Sequence, residues 1–370
     1  MPANTINTIA SFTVDTDPFE ILQTIKTVTS TDVANNIYAY ANTLPTANTI
    51  NLGMTAYVYN DGLYICDGTQ WYPLANTYTY IPPSWTFQGS NYGYISGGYP
   101  TSTKTVDKFS FSADGNATDV GDLTVARSDL AGQSSTDYGY TSGGTIWPSY
   151  YNIIDKFPFS TDANATDVGD LTVSRSGPAG QSSIDYGYAS GGYNGSATSN
   201  VIDKFPFSTD ANATDVGNLT VARANLAGQS STDYGYTSGG SAPGATNVIE
   251  KFPFSTDANA TDVGDLTAAR YALSGQSSTD YGYTSGGNPP YSNVIDKFPF
   301  AADANATDVG DLTLNKERSS GQSSTDYGYT SGGTLLNENV IEKFPFATDA
   351  NATDVGDLTA NKYAAAGQQY

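Results

Sequence analysis

Three short markers recur six times in register, and this periodicity restricts the fold more than any other property of the chain. Tyr-Gly-Tyr begins at Tyr92, Tyr138, Tyr186, Tyr234, Tyr281 and Tyr327. Lys-Phe begins at Lys108, Lys156, Lys204, Lys251, Lys297 and Lys343, and Gly-Gln at Gly132, Gly180, Gly228, Gly275, Gly321 and Gly367. All three advance by 46 to 48 residues. Each unit holds short β-favouring runs separated by turn residues. In the second unit, strand A is expected over 131–135, strand B over 138–142 ending at Gly143-Gly144, strand C over 153–159 and strand D around 166–171. Four strands in about 47 residues is the size of a propeller blade. No unit carries an amphipathic helical pattern, which disfavours helical solenoids. Residues 86–370 are therefore expected to form a six-bladed β-propeller. Proline at 158, 206, 253, 299 and 345 falls in strand C. Since proline cannot donate to a ladder, it belongs near a strand end or a bulge.

The unit resembles the kelch repeat. Strand B ends in Gly-Gly, strand C carries an aromatic (Phe157), and a basic residue precedes the next strand A. That basic residue is Arg127, Arg175, Arg223, Arg270, Lys316 or Lys362. The departure is the tryptophan usual in strand D, replaced here by Val-Gly-Asp-Leu or Val-Gly-Asn-Leu. The resemblance implies the fold and no particular function.

The register also indicates how the ring closes. Residues 86–91 match strand A poorly, with Gln88 and Gly89 in reversed order, whereas Ala366-Gly367-Gln368-Gln369-Tyr370 matches it well. The C-terminus is expected to supply strand A of the first blade. In an antiparallel blade the A–B and C–D loops share one face, and the B–C and D–A loops share the other. The first pair is repetitive and acidic: Ser-Thr-Asp-Tyr-Gly in most copies, and Asp-Ala-Asn-Ala-Thr-Asp in five of six, as at 162–167. The second pair differs in every copy and carries Tyr99, Trp147, Tyr150, Tyr151, Tyr193, Tyr271 and Tyr291. Divergence among near-identical copies, rich in aromatics, fits a recognition surface, because Tyr and Trp give rigid amphipathic contact area. The alternative is free drift of loops the scaffold ignores.

Composition narrows the chemistry. A formal charge of −22 opposes nucleic-acid phosphates and anionic membranes. With no His and the single Cys66, Ser-His-Asp and Cys-His catalysis, an internal disulfide and CxxC sites are excluded. Most acids recur once per blade, so a unique carboxylate pair is not expected and the chain is read as a non-enzyme without cofactor. The Asp-Ala-Asn-Ala-Thr-Asp loop offers close oxygen ligands but lacks the glycine and distal glutamate of an EF-hand. Turn formation is the expectation, with Asn164 bonding its own backbone. The ring of Gln133, Gln181, Gln229, Gln276, Gln322 and Gln368 is expected to bond between blades. No apolar run approaches a membrane span. The start has neither a basic region nor an apolar run, so no secretory leader is expected.

Residues 1–85 lack the repeat and are read as a small α+β domain. Asp17-Pro18-Phe19-Glu20 has the pattern of an N-cap, an N1 proline and a capping acid. Phe19, Leu22, Ile25 and Val28 then fall on one helical face. A second helix is expected over 32–41. Residues 55–59, 63–66 and 70–74 form a β-meander with turns at Asn60-Asp61-Gly62 and Asp67-Gly68, Trp71 and Tyr72 in its core, and Cys66 as a small apolar residue. Residues 80–84 look like a stiff linker.

The segment Gly62-Leu63-Tyr64-Ile65-Cys66-Asp67-Gly68-Thr69-Gln70-Trp71-Tyr72 resembles β-modules of bacteriophage virion and tail-fibre proteins. The blade text Asp-Lys-Phe-Pro-Phe…Asp-Ala-Asn-Ala-Thr-Asp-Val-Gly-Asp-Leu-Thr is similar to kelch-like virion proteins of marine phages, including cyanophages. This resemblance implies a tail-fibre or adhesin-like virion component made in a bacterial cytoplasm. Its residues 1–85, with Phe19, Leu22, Ile25, Trp71 and Tyr72, would attach to other virion proteins, and its variable face would bind host-surface glycan or protein. Alternatives are a capsid-decoration or tail-assembly protein, a carboxylate-based polysaccharide depolymerase, and a bacterial kelch scaffold.

Overall fold

The computed structural model describes residues 37–41, 55–58, 62–66 and 71–73, and residues 88–370 except 101–102 and 335–338. The chain divides into two compact units, Met1–Ser84 and Trp85–Tyr370. In the first, β1 (Ile37–Ala41), β2 (Thr55–Val58), β3 (Gly62–Cys66) and β4 (Trp71–Pro73) form one sheet in that order. The pairs β2–β3 and β3–β4 are antiparallel, as a meander requires. Trp71 is half-buried. The helix expected over 32–41 is corrected at residues 37–41, which form β1 and pair parallel to β2; residues 32–36 lie outside the described residues. Ile37-Tyr38-Ala39-Tyr40-Ala41 alternates β-favouring with small residues, and a partner strand decides such a run. Among the described residues there is no helix. The helix expected from Asp17, with Phe19, Leu22 and Ile25, and the linker at 80–84 lie outside the described residues.

The second unit is a six-bladed propeller of four-stranded antiparallel sheets. In blade 2, strand A is Ala131–Ser134, B is Tyr138–Ser142, C is Ile153–Pro158 and D is Thr166–Asp170. Blades 3 to 6 repeat this order, with strand A at Ala179–Ser182, Ala227–Ser230, Ser274–Ser277 and Ser320–Ser323. Blade 1 takes strands B to D from Tyr92–Ser96, Thr105–Ser110 and Thr118–Asp122, and strand A from Ala366–Gln369. The pairs Ala366–Ser96, Gly367–Ile95, Gln368–Tyr94 and Gln369–Gly93 join the chain end to this blade. Pro158 is the last residue of its strand, opposite Tyr138, where its missing N–H costs no internal ladder bond.

The core lies between blades. Strand B carries Tyr-Gly-Tyr because its two faces meet different neighbours. Tyr140 packs on Phe205 and Phe207 of blade 3, at centroid distances of 5.6 and 4.8 Å. Gly139 lies under its own blade's Phe157, whose ring a Cβ would meet at 2.3 Å. Aromatic pairs of this kind add about 0.5–1.5 kcal/mol beyond area burial. Burial holds the Tyr236, Tyr283 and Tyr329 hydroxyls up at about 12.

Near the axis the backbones themselves touch. A Cβ on Gly180 would stand 2.1 Å from the Gly132 carbonyl oxygen, and the same relation runs through all six strands A back to Gly132 and Gly367. The Gln133 Nε2 donates to Tyr188 O of the next blade at 2.9 Å, and Gln368 closes the series on Tyr140 O at 3.0 Å. Serines add a second tier: the Ser134 N–H donates to Ser182 Oγ and the Gln369 N–H to Ser134 Oγ, both at 3.0 Å.

The Asp-Ala-Asn-Ala-Thr-Asp loop is a latch between blades. Asp162 accepts from Lys108 of the preceding blade at 2.6 Å, and this ammonium also lies 4.7 Å from the Tyr92 ring centroid. Asn164 Oδ1 accepts the Asp122 N–H of the preceding blade at 3.0 Å. This corrects the expectation that Asn164 bonds its own backbone. Asp167 Oδ1 accepts the Gly169 N–H two residues on, an Asx turn. These contacts account for the recurrence of the loop from blade to blade. The exposed Lys–Asp pair is worth at most about 1 kcal/mol, so it sets register more than stability.

Candidate functional site

A rigid frame underlies the variable face. At the end of strand B, Gly143 and Gly144 have φ of 69° and 105°, which only glycine adopts without strain. They turn the chain out of the blade into the B–C loop. A buried cation holds both ends of that loop. Arg127 donates through Nη1 to Gly143 O and, at 3.1 Å, to Ile153 O, and through Nη2 to Asp155 at 2.7 Å. Asp155 also accepts from the Thr124 hydroxyl at 2.6 Å. Arg175–Asp203, Arg223–Glu250, Arg270–Asp296, Lys316–Glu342 and Lys362–Asp107 repeat the pair in the other blades. Burial lowers the pKa of Arg127 and Lys362, and the partner carboxylate opposes it. The basic residue before each strand A is thus a positioning group for the loop above it.

On this frame each blade presents two facing positions. The residue after Gly-Gly pairs, antiparallel, with the residue after the buried cation: Tyr99 with Tyr363, Thr145 with Ser128, Tyr193 with Ser176, Ser241 with Ala224, Asn288 with Tyr271, and Thr334 with Glu317. The backbone geometry repeats while the side chains change. One residue further on, Asp129, Gly177, Asn225, Ala272, Arg318 and Ala364 all have φ between 54° and 60°. Their amides form a closed ring around the axis. Each N–H donates to the carbonyl of the preceding member, from Asp129 to Ala364 O at 2.7 Å round to Ala364 on Arg318 O at 2.7 Å.

The seven aromatic residues expected on this face occupy different settings. Trp147 sits at the tip of a two-stranded ribbon, Thr145–Ile146 with Ser149–Tyr150, and is 80 % exposed. Tyr150 and Tyr193 meet edge to face at 5.8 Å, although they belong to adjacent blades. The Tyr193 hydroxyl donates to Gly195 O at 2.9 Å, which fixes the ring. Tyr99, 44 % exposed, packs on Tyr363 at 5.1 Å. Tyr291 is exposed, Tyr271 is half-buried beside Asn288, and half-buried Tyr151 accepts the Arg175 N–H through its carbonyl. The structure therefore brings Tyr150 to Tyr193 and adds Tyr363 to Tyr99.

Two charged residues were not singled out by sequence. Arg318 Nη1 lies 3.0 Å from Asp129 Oδ1, at the axial opening of the ring. Burial raises the Asp129 pKa, and Arg318 and then Ser128 oppose it. Two phenols respond to the Asp129 charge. Tyr150 is raised by burial, then by Tyr193 and Asp129. Tyr363 is raised by burial and Tyr99, lowered by Arg318, and raised by Asp129. A repeated scaffold gives no sign of such a pair, since its members stand 189 residues apart.

Residues 88–89 lie at the opposite end of the axis. Gln88 Nε2 donates to Ser277 O at 3.0 Å, and the Gly89 N–H to Ser323 O at 2.8 Å. Ser277 and Ser323 end strands A of blades 5 and 6, so residues 88–89 lie on the face of the A–B loops. That face carries exposed Asp137, Asp185, Asp233, Asp280 and Asp326. No family model matches this chain, and no curated protein matches it either.

Proposed function

We propose that this chain is a kelch-like, tail-fibre or adhesin-like virion component of a marine phage of the cyanophage type. Residues 1–85 attach it to other virion proteins, and the variable face of the propeller binds glycan or protein on the host surface. The observation that carries this reading is the polarity of the propeller. Gln88 and Gly89, the first described residues of this unit, bond on the repetitive acidic face. The side chains that differ between blades stand at the other end, with Trp147 at the tip of its ribbon. Tryptophan and tyrosine dominate binding energy at interfaces when they become buried there. Adsorption of the labelled full-length chain to cyanobacterial envelope preparations tests the reading. Trp147→Ala together with Tyr150→Ala and Tyr193→Ala is expected to lower adsorption about tenfold or more, the loss of a hot-spot cluster, with an unchanged melting temperature. Adsorption equal to that of the unmodified chain would contradict a receptor role and favour a capsid-decoration or tail-assembly subunit.

A further inference from the structure

The centre of the variable face is built differently from its rim. The six-membered amide ring needs no side chain, since it closes equally over Gly177, Ala272 and Ala364. Those small residues leave a depression of about 70 Å³ at the axis. Asp129 and Arg318 reach across this opening over the intervening Ala364, and their contact is 3.0 Å. Tyr363, paired with Tyr99, directly precedes the ring member Ala364, and Tyr193, paired with Tyr150, faces Ser176 directly before the ring member Gly177; Ala364 and Gly177 are the two ring neighbours of Asp129.

We infer that this axial mouth is a binding site for a neutral glycan, held by Asp129 and Arg318 between the two tyrosine pairs. The inference rests on the receptor-binding reading above and assigns it a ligand class and a place. A carboxylate accepts from one sugar hydroxyl while a guanidinium donates to the oxygen of its neighbour. Arg318 has five N–H donors, of which one meets Asp129. Tyrosine rings supply flat apolar faces with a polar tip, suited to the C–H face of a pyranose and its hydroxyls.

Charge selects against an acidic ligand. Arg318 is flanked by two carboxylates, Asp129 at 3.0 Å and Glu317 at 3.9 Å. No surplus positive charge stands at the mouth, and the whole chain repels anions with its −22. A uronate or phosphorylated sugar would have to displace Asp129 or Glu317 from the guanidinium.

Titration calorimetry of the full chain tests this, with neutral oligosaccharides of hexose, 6-deoxyhexose and N-acetylhexosamine as probes and oligogalacturonate as the acidic one. At least one neutral probe is expected to bind. Asp129→Asn, Arg318→Gln and Tyr363→Ala should each weaken it about tenfold, the loss of a charged hydrogen bond or a stacking face. Ile184→Ala, exposed on the opposite face, should leave it unchanged. Melting curves identify any variant that fails to fold, and the remaining two then decide. Absence of binding by every neutral probe, preference for oligogalacturonate, or undiminished binding by folded Arg318→Gln would each overturn the inference. Envelope adsorption separates the two levels. Loss with the Trp147 variant but not with Arg318→Gln leaves the receptor reading standing and removes the axial site. Loss with neither removes both.

Discussion

Gly180 shows why a single residue type recurs at one place in every blade. Its Cβ would lie 2.1 Å from the Gly132 carbonyl oxygen, a rigid backbone atom. Alanine there must push two strands A apart and disturb a ring of six. Gly180→Ala is expected to destabilise the protein by about 3 kcal/mol or more, at the upper end of overpacking costs. Gly115→Ala, where a Cβ would meet nothing within 4 Å, should be close to neutral. Denaturant unfolding of the two variants checks this, and equal midpoints would contradict the packing account. The Gly-Gln marker was visible in the sequence as a repeat. Its cause was not, because the clash is with a residue 48 positions earlier. Asn164 is a similar case. Its side chain suits an Asx turn, and only the juxtaposition of blades gives it the Asp122 amide instead.

At the scale of the element, β-favouring runs and turn residues placed the four strands of the second blade closely. They also located β2, β3 and β4. The segment Ile37–Ala41 was misread as helix because a short run has no decisive period, and a parallel partner settled it as strand. Proline at the end of strand C caused no conflict once Pro158 proved terminal in its ladder. The strand with the largest consequence is the last. Ala366–Gln369 supplies the inner strand of blade 1, Ala364 completes the amide ring, and Gln368 bonds Tyr140 O. Deleting residues 364–370 removes all three at once and exposes strand B of blade 1 as an edge. The truncated chain is expected to melt well below the full-length protein and to aggregate on warming. A melting temperature equal to that of the full chain would contradict closure by the C-terminus.

At the scale of the whole molecule, the repeat separates two tasks. Contacts that hold blades together recur six times: the buried Arg or Lys with its carboxylate, the tyrosine on two phenylalanines, and the latch from Lys108 to Asp162. The B–C and D–A loops, whose side chains differ in every copy, stand on a backbone that those contacts fix. Loop divergence made this face legible in sequence, and Trp147, Tyr150 and Tyr193 with it. The pairing of Tyr99 with Tyr363 was not legible, since closure of the ring brings the first blade's loop to the last D–A connection. The same holds for Asp129 and Arg318. On this reading the propeller binds with the face remote from Gln88, and oxidative footprinting of the full chain bound to host envelope measures which face is covered. Trp147, Tyr99 and Tyr291 are expected to be protected, with Ile184 and Tyr281, exposed on the opposite side, reacting as in the free protein. Protection of Ile184 and Tyr281 with Trp147 still fully reactive would contradict it.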